Sequence, residues 1–569
     1  MRKIAALVPA ISIAVLLANC AAPPSGRTSG QTTDQTPVSP QRTLVIIARG
    51  EPPSLAAKPL VGYSGSLNPP LRLFNATLDE LDENDVSHPY LEQELPRLNT
   101  DSWRVAPDGT METTHILRPN LTWHDGQVLT ADDFVFGWQV FATPELGAGG
   151  TKPIKQMAEV VAKDPRTVVI RWRQPFPEAD QLDTSFQPLP RHLLQRSYDQ
   201  GDWSAFVNDS FWTTDYIGLG PYKVGTWEAG DYLEADAFAG HALGRPKIDR
   251  VKLEFVSDSN TALAKMLSGE AQYVADYVLG HQDGATLDEQ WAGDNAGTVV
   301  FAPVLFRFTQ IQLRPEYADP KAVLDVRFRR ALAHAFDTPG AVEAFTGSKG
   351  LITYSLSWPK ADYYPEIQKA ITERKYDPRR AQQLLEEFGL ERGADGFYAG
   401  SNGEPLQIDL WNTGGTFERE NRVFADSLRK AGIDANPRTL GPARLRDEKA
   451  RALIGGLFTG GLGSDRLTPF TSNSIPRPEN HWTGTNRGGW SNPDYDRFWQ
   501  AWNTTLAPSE RIQDIAQMEH ILNADVGIIP HYFTDVVTAW SSQLKGPVAR
   551  TSPDAPAEIY RIETWEWGS

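Results

Sequence analysis

The amino-acid sequence predicts a mixed α/β fold, and three observations carry that reading. A β-branched apolar run over 43–48 has the composition of a buried strand. Residues 247–256 alternate, with Val251, Leu253 and Phe255 on one face, and a helical segment over 260–268 follows at once, stopped by Gly269. Over 377–388, Asp377 is placed to cap, Pro378 suits the first helical position, Ala381, Leu384, Leu385 and Phe388 form an apolar stripe, and Gly389 suits a left-handed end. Strands and helices alternate along the chain in this way, so the class is α/β, with α+β the alternative.

The N-terminus comes first in order. Arg2 and Lys3 precede an almost wholly apolar stretch over 4–17, too short for a comfortable membrane span, and Leu17-Ala18-Asn19-Cys20 stands where a signal peptide ends. Residues 17–20 resemble the lipobox of bacterial lipoproteins. That resemblance implies that 1–19 is removed and that Cys20 is lipidated; Asn19 departs from the small residue usual before the cysteine. The alternative is an ordinary secretory signal. Cys20 is the sole cysteine, so no disulfide forms within the chain. Residues 21–41, rich in Pro, Ser, Thr, Gly and Gln, read as a flexible spacer.

The body beyond the spacer exceeds 500 residues, enough for two or three domains. The formal charge of the whole chain, −17, argues against nucleic acid and anionic membrane surfaces as partners. No second apolar run approaches membrane-spanning length. Further strands are expected at 111–117 and 167–172, helices near 326–336, 417–431 and 509–523, and two strands at 526–533 and 536–540 separated by a short turn.

Catalytic constellations are not found. The ten histidines include no pair at helical metal-binding spacing, and neither a Gly-x-Ser-x-Gly elbow nor a phosphate-cradling loop is present. Ser357-Trp358-Pro359-Lys360 fits a Ser-x-x-Lys pattern, but Pro359 disrupts the helix that chemistry requires. No enzyme activity, metal or cofactor is expected.

Over 117–138 the run Leu-Arg-Pro-Asn-Leu-Thr-Trp-His-Asp-Gly-Gln-Val-Leu-Thr-Ala-Asp-Asp-Phe-Val-Phe-Gly-Trp combines a tight turn at Asp125-Gly126 with a cap at Thr130 and Asp133. It resembles the family 5 extracellular solute-binding proteins, receptors of peptide and nickel ABC importers. Gly50-Glu51-Pro52-Pro53-Ser54-Leu55, Gly218-Leu219-Gly220-Pro221-Tyr222-Lys223-Val224, and the segments 327–339, 375–390, 490–495 and 521–532 extend the resemblance in order. It implies a two-lobed periplasmic-binding-protein-like fold of type II, cluster C, with crossovers near 272–278 and 528–532. Lobe I is then 42–75, 213–277 and 528–569, an extra subdomain occupies 76–212, and lobe II is 278–527. The implied protein is a monomeric, membrane-anchored receptor outside the cytoplasmic membrane that passes an oligopeptide or small polar solute to the transmembrane subunits of an ABC permease.

For the ligand the resemblance offers Trp411 and Asn412 at a strand end, Asp465 in the loop Gly460-Gly461-Leu462-Gly463-Ser464-Asp465, Trp482 and Trp490 beyond it, and Tyr63 from the other lobe. In peptide-binding relatives an aspartate in that loop pairs with the peptide amine, and a tryptophan lies just before it. Here glycine and leucine take the place of that tryptophan. An oligosaccharide or chelated metal, an envelope hydrolase, and a sensor or adhesin remain the alternatives.

Overall fold

The computed structural model describes residues 42–58, 60, 68–146, 152–275, 277–347, 350–400, 403–414, 417–441, 444–445, 447–463, 465–549 and 558–568. The expected leader, Cys20, the spacer and Tyr63 lie outside them.

An eleven-stranded sheet is the spine. Thr43–Ala48 buries Leu44, Ile46, Ile47 and Ala48 completely, as a strand covered on both faces must. It runs parallel to Arg250–Phe255 on one side and to Tyr273–Val274 on the other. The helix Ser259–Ser268 links those two neighbours: Asp258 accepts from the Thr261 amide at 2.8 Å to start it, and Gly269 at φ 75° ends it. Tyr232–Ala237 and Tyr222–Glu228 complete this side of the sheet. On the far side, Leu457–Leu462, Gln407–Asn412 and Asp434–Thr439 form a second group of neighbours.

Two long antiparallel strands, Gly297–Ile311 and Ile528–Ser541, join the groups. Residues 297–303 pair with 535–541, beside Tyr273–Val274, while 306–311 also pair with Leu457–Leu462. Between these stretches Pro303 faces Asp535 and Leu305 faces Thr534, which leaves Val304 as an extra residue. A bulge of this kind bends its strand and sharpens the local twist. The cores divide at the same place. Val537 and Ala539 pack with Ile47, Ala262, Leu287 and Trp291, whereas Ile529 and Tyr532 pack with Ile311, Phe328 and Phe424. The fold is thus mixed α/β and two-lobed, hinged on two shared strands.

Two expectations differ from what is observed, and one strand is not anticipated. The two strands of 526–540 are one, because Thr534 and Asp535 are polar residues in the middle of a strand rather than a turn. The passage expected at 272–278 comes later: Tyr273–Val274 pairs within lobe I, and Val278, Leu279, Leu287 and Trp291 pack against lobe I residues, so the first crossing is at 303–305. Gly297–Ile311 itself is concealed in the sequence by Pro303 and by bulges that break the alternation.

A four-stranded antiparallel sheet, ordered Trp103–Val105, Met111–Ile116, Thr167–Trp172 and Met157–Asp164, carries the helix Ala131–Ala142. Its entry is the 117–138 run. The Thr130 amide donates to Asp133 at 2.9 Å, and Asp125 turns the chain at Gly126, φ 90°. His124 staples this run to the glycine turn ahead of Tyr222–Glu228. Its Nε2 donates to the Gly220 carbonyl at 3.0 Å, and its Nδ1 accepts from the Gly218 amide at 3.1 Å. The approach is close enough that a Cβ on Gly220 would lie 2.4 Å from the Leu73 carbonyl oxygen.

Only neutral imidazole can accept through one nitrogen while donating through the other. Burial accordingly holds the His124 pKa down at about 4. The unfolded chain then takes up the proton first on acidification, so this stabilisation is complete above pH 6.5 and is lost as pH falls towards 4. The contribution is on the order of 3 kcal/mol. Urea unfolding between pH 4 and 7 is expected to show a shallower loss of stability on acidification for His124→Gln than for the unsubstituted protein; equal slopes would remove His124 from the acid response.

Candidate ligand-binding site

The bulge of the shared strands lies beside a cavity of about 1000 Å³ with walls from both lobes. Leu305, Thr534, Asp535 and Val536 contribute from the hinge strands themselves. Lobe I contributes Arg49 at the end of Thr43–Ala48, the start of helix Ser259–Ser268, and residues 277–283 leading into helix His281–Ala292. Lobe II contributes Phe345 from helix Thr338–Thr346, and Phe417, Glu418, Arg419 and Arg422 from the start of Phe417–Lys430.

Three helix N-termini therefore open onto one cavity, each with amides that point outward and a partial positive charge. The fixed charges are of both signs. Asp258 and Asp283 cap their helices, the latter accepting from the Gly280 amide at 3.0 Å. His281 Nδ1 sits 2.8 Å from Asp535, whose side chain is 1% exposed, so one lobe I helix is pinned directly to the hinge. Arg422 pairs with Glu418 at 3.5 Å, and Arg419 is exposed. Aromatic surface comes from Tyr277, 40% exposed with φ 58°, and from Phe345 stacked on Phe417 at 5.6 Å and 17°. Such a lining offers hydrogen bonds, charges and apolar faces together, which suits reversible binding of a polar solute. Among the described residues no group of three or more His, Cys, Asp and Glu is disposed to hold a metal.

None of the five described sequence candidates lines this cavity. Trp411 is half-buried beside Leu440, Ile454 and Phe458, with the Arg444 guanidinium 4.6 Å from its ring. Asn412 is buried and accepts from the Gly414 amide at 2.6 Å, which shapes the glycine turn. Asp465 is exposed and accepts from the Thr468 amide at 3.1 Å, capping the turn Thr468–Phe470. Trp482, at φ 63°, borders a separate hollow with Arg314 and Tyr317. Trp490 is buried in lobe II, edge-on to Tyr495. Tyr63 is outside the described residues. Ser357 donates to the buried Glu519 at 2.9 Å in a non-helical segment, so the Ser-x-x-Lys run is a structural bond.

The lining residues were concealed because they sit at helix starts and at a strand centre rather than in aromatic loops. Two signals point to them: the polar pair Thr534-Asp535 inside an apolar run, and Phe417-Glu418-Arg419 opening a helix just past a glycine turn.

Comparison with known proteins accords with this architecture. Residues 95–484 match the middle region of the bacterial extracellular solute-binding proteins, family 5. A Brucella ovis protein named as an ABC transporter peptide-binding protein is 26% identical over 340 residues, 60% of this chain, and the match spans 59% of that relative's length. The Bacillus subtilis dipeptide-binding protein DppE is 23% identical over 576 aligned residues, 96% of this chain and 97% of DppE. Among solved structures, NikZ from Campylobacter jejuni in complex with Ni(L-His) superposes with a TM-score of 0.73 at 22% identity, covering 93% of this chain and 100% of NikZ. The chain belongs to the family 5 bacterial extracellular solute-binding proteins.

Proposed function

We propose that this protein is the lipid-anchored receptor of an ABC importer, enclosing an oligopeptide or similar polar solute between its lobes and presenting it to the permease. The observation that carries the reading is the 1000 Å³ cavity with walls from both lobes and a floor from the two shared strands. A ligand shifts the balance towards a closed state only as far as it favours that state, and contact with both walls supplies such a preference. The names of the Brucella and Bacillus relatives favour a peptide. Mixed charges and aromatic faces suit a zwitterion with varied side chains, and micromolar affinity requires about 8 kcal/mol in total.

Binding in this reading involves no covalent chemistry, and the receptor works as a monomer. In this reading lobe I is 42–75, 213–303 and 535–569 and lobe II 304–534, divided at the bulge of the paired strands, and the extra subdomain 76–212 has its own four-stranded sheet but shares the lobe I core. Among the described residues no helix is long and apolar enough to cross a membrane, and Cys20 supplies the anchor through its acyl chains.

Calorimetric titration with trialanine, with a trisaccharide and with nickel–histidine tests the solute class: saturable heat from the peptide is expected, and heat from either of the others alone would contradict the peptide reading. Phe417→Ala should weaken peptide binding tenfold or more, whereas Asp465→Ala should leave it unchanged; the reverse pattern would return the site to the Asp465 loop. Cell fractionation of Cys20→Ala should show the protein lost from the membrane fraction, and full retention there would contradict lipid anchoring at this residue.

A further inference from the structure

The first turn of the lobe II wall carries a carboxylate that faces away from the cavity. Glu420 is fully buried, and Arg307, its ion-pair partner, is 3% exposed. Arg307 lies on Gly297–Ile311 directly opposite Tyr532 of Ile528–Ser541. Its Nε donates to Glu420 Oε1 at 3.1 Å, its Nη2 donates to Oε2, and the Tyr532 hydroxyl donates to Oε1 at 2.6 Å. The guanidinium carbon is 3.8 Å from the centroid of the Phe417 ring. From the neighbouring strand comes Gly461, where a Cβ would stand 2.9 Å from Arg307 Nη1. One helix turn is thus bound to both hinge strands through a fork, a phenol and a ring face.

Stability alone is a weak reason for this cluster, since apolar residues of similar volume commonly serve as well as a buried ion pair. Geometry is a stronger one. A bidentate Arg–carboxylate pair fixes orientation as well as distance, and a satisfied buried network is rigid. The cluster sits directly beneath Phe417, which lines the cavity and stacks on Phe345.

We propose that Arg307, Glu420 and Tyr532 are positioning residues for the ligand, holding Phe417 and Arg419 in fixed register with the two strands the lobes share. The inference rests on the cavity being the solute site. The lobe II wall then moves with the hinge strands as one piece, and the 277–283 wall of lobe I closes against it.

The test is hydrogen exchange on the full chain carrying Arg307→Met, Glu420→Leu and Tyr532→Phe together, a replacement that removes the charges while keeping the core filled. The amides of 421–424, which bond back to the first turn, are expected to exchange at least tenfold faster, with those of 425–430 unchanged, the melting temperature near that of the unsubstituted protein, and trialanine affinity at least tenfold weaker. A role in global stability alone would shift the melting temperature and all helix amides together, and that result overturns the proposal, as does exchange identical to the unsubstituted protein. Where the triple variant does not fold, Arg307→Lys, which keeps the charge and loses the fork, is expected to give the same local acceleration; unchanged exchange in it overturns the proposal. Failure of the unsubstituted protein to bind trialanine would overturn the peptide reading, and the exchange comparison would still decide the positioning role.

Discussion

The described residues of the body are arranged about one antiparallel ribbon. Gly297–Ile311 and Ile528–Ser541 are each long enough to be paired in both lobes, so the sheet is continuous while the hydrophobic cores on it are not. A continuous backbone ladder keeps its hydrogen bonds through a bend, and the extra residue at Val304 supplies the place to bend. Both cores stop at this point, where a small apolar cluster of Ala302, Val304 and Val536 adjoins a cavity lined by polar and charged groups, the His281–Asp535 and Arg422–Glu418 pairs among them.

The two walls are attached to the ribbon by different means. On the lobe I side, His281 at a helix start meets one residue of each long strand, its Nδ1 2.8 Å from Asp535 and its ring centroid 5.1 Å from that of Phe301. On the lobe II side, Glu420 is gripped by Arg307 and Tyr532, one from each long strand. The asymmetry follows from where the helices begin. His281 opens its helix at the bulge, whereas Phe417–Lys430 begins one turn before a position that looks into the core. Away from the cleft, the sequence runs that are easiest to recognise serve the scaffold: His124 and the glycine turn at Gly218 and Gly220 join the four-stranded sheet to the main one.

Much of the scaffold was legible because its signals are local. Asp377 and Gly389 mark the ends of their helix by chemistry that needs no tertiary context, accepting from the Arg380 amide and adopting φ 101°. Thr130 with Asp133 and Asp258 with Gly269 are equally self-contained. The cleft was not legible, because its lining is drawn from residues as far apart as Arg49 and Asp535 and is assembled only by sheet order. Aromatic residues misled for a related reason: Trp490 looks like a ligand platform in a glycine-rich neighbourhood, yet its indole fills the lobe II core. Pro303 misled in the opposite direction, disguising the strand on which the lobes turn.

Native mass spectrometry of protein purified without denaturation tests the central claim, that a peptide or similar solute is enclosed between the lobes. The account predicts one small-molecule equivalent per chain, released as a spread of peptide masses and displaced by added peptide. A chain that carries nothing and gains no mass from a peptide pool would contradict it.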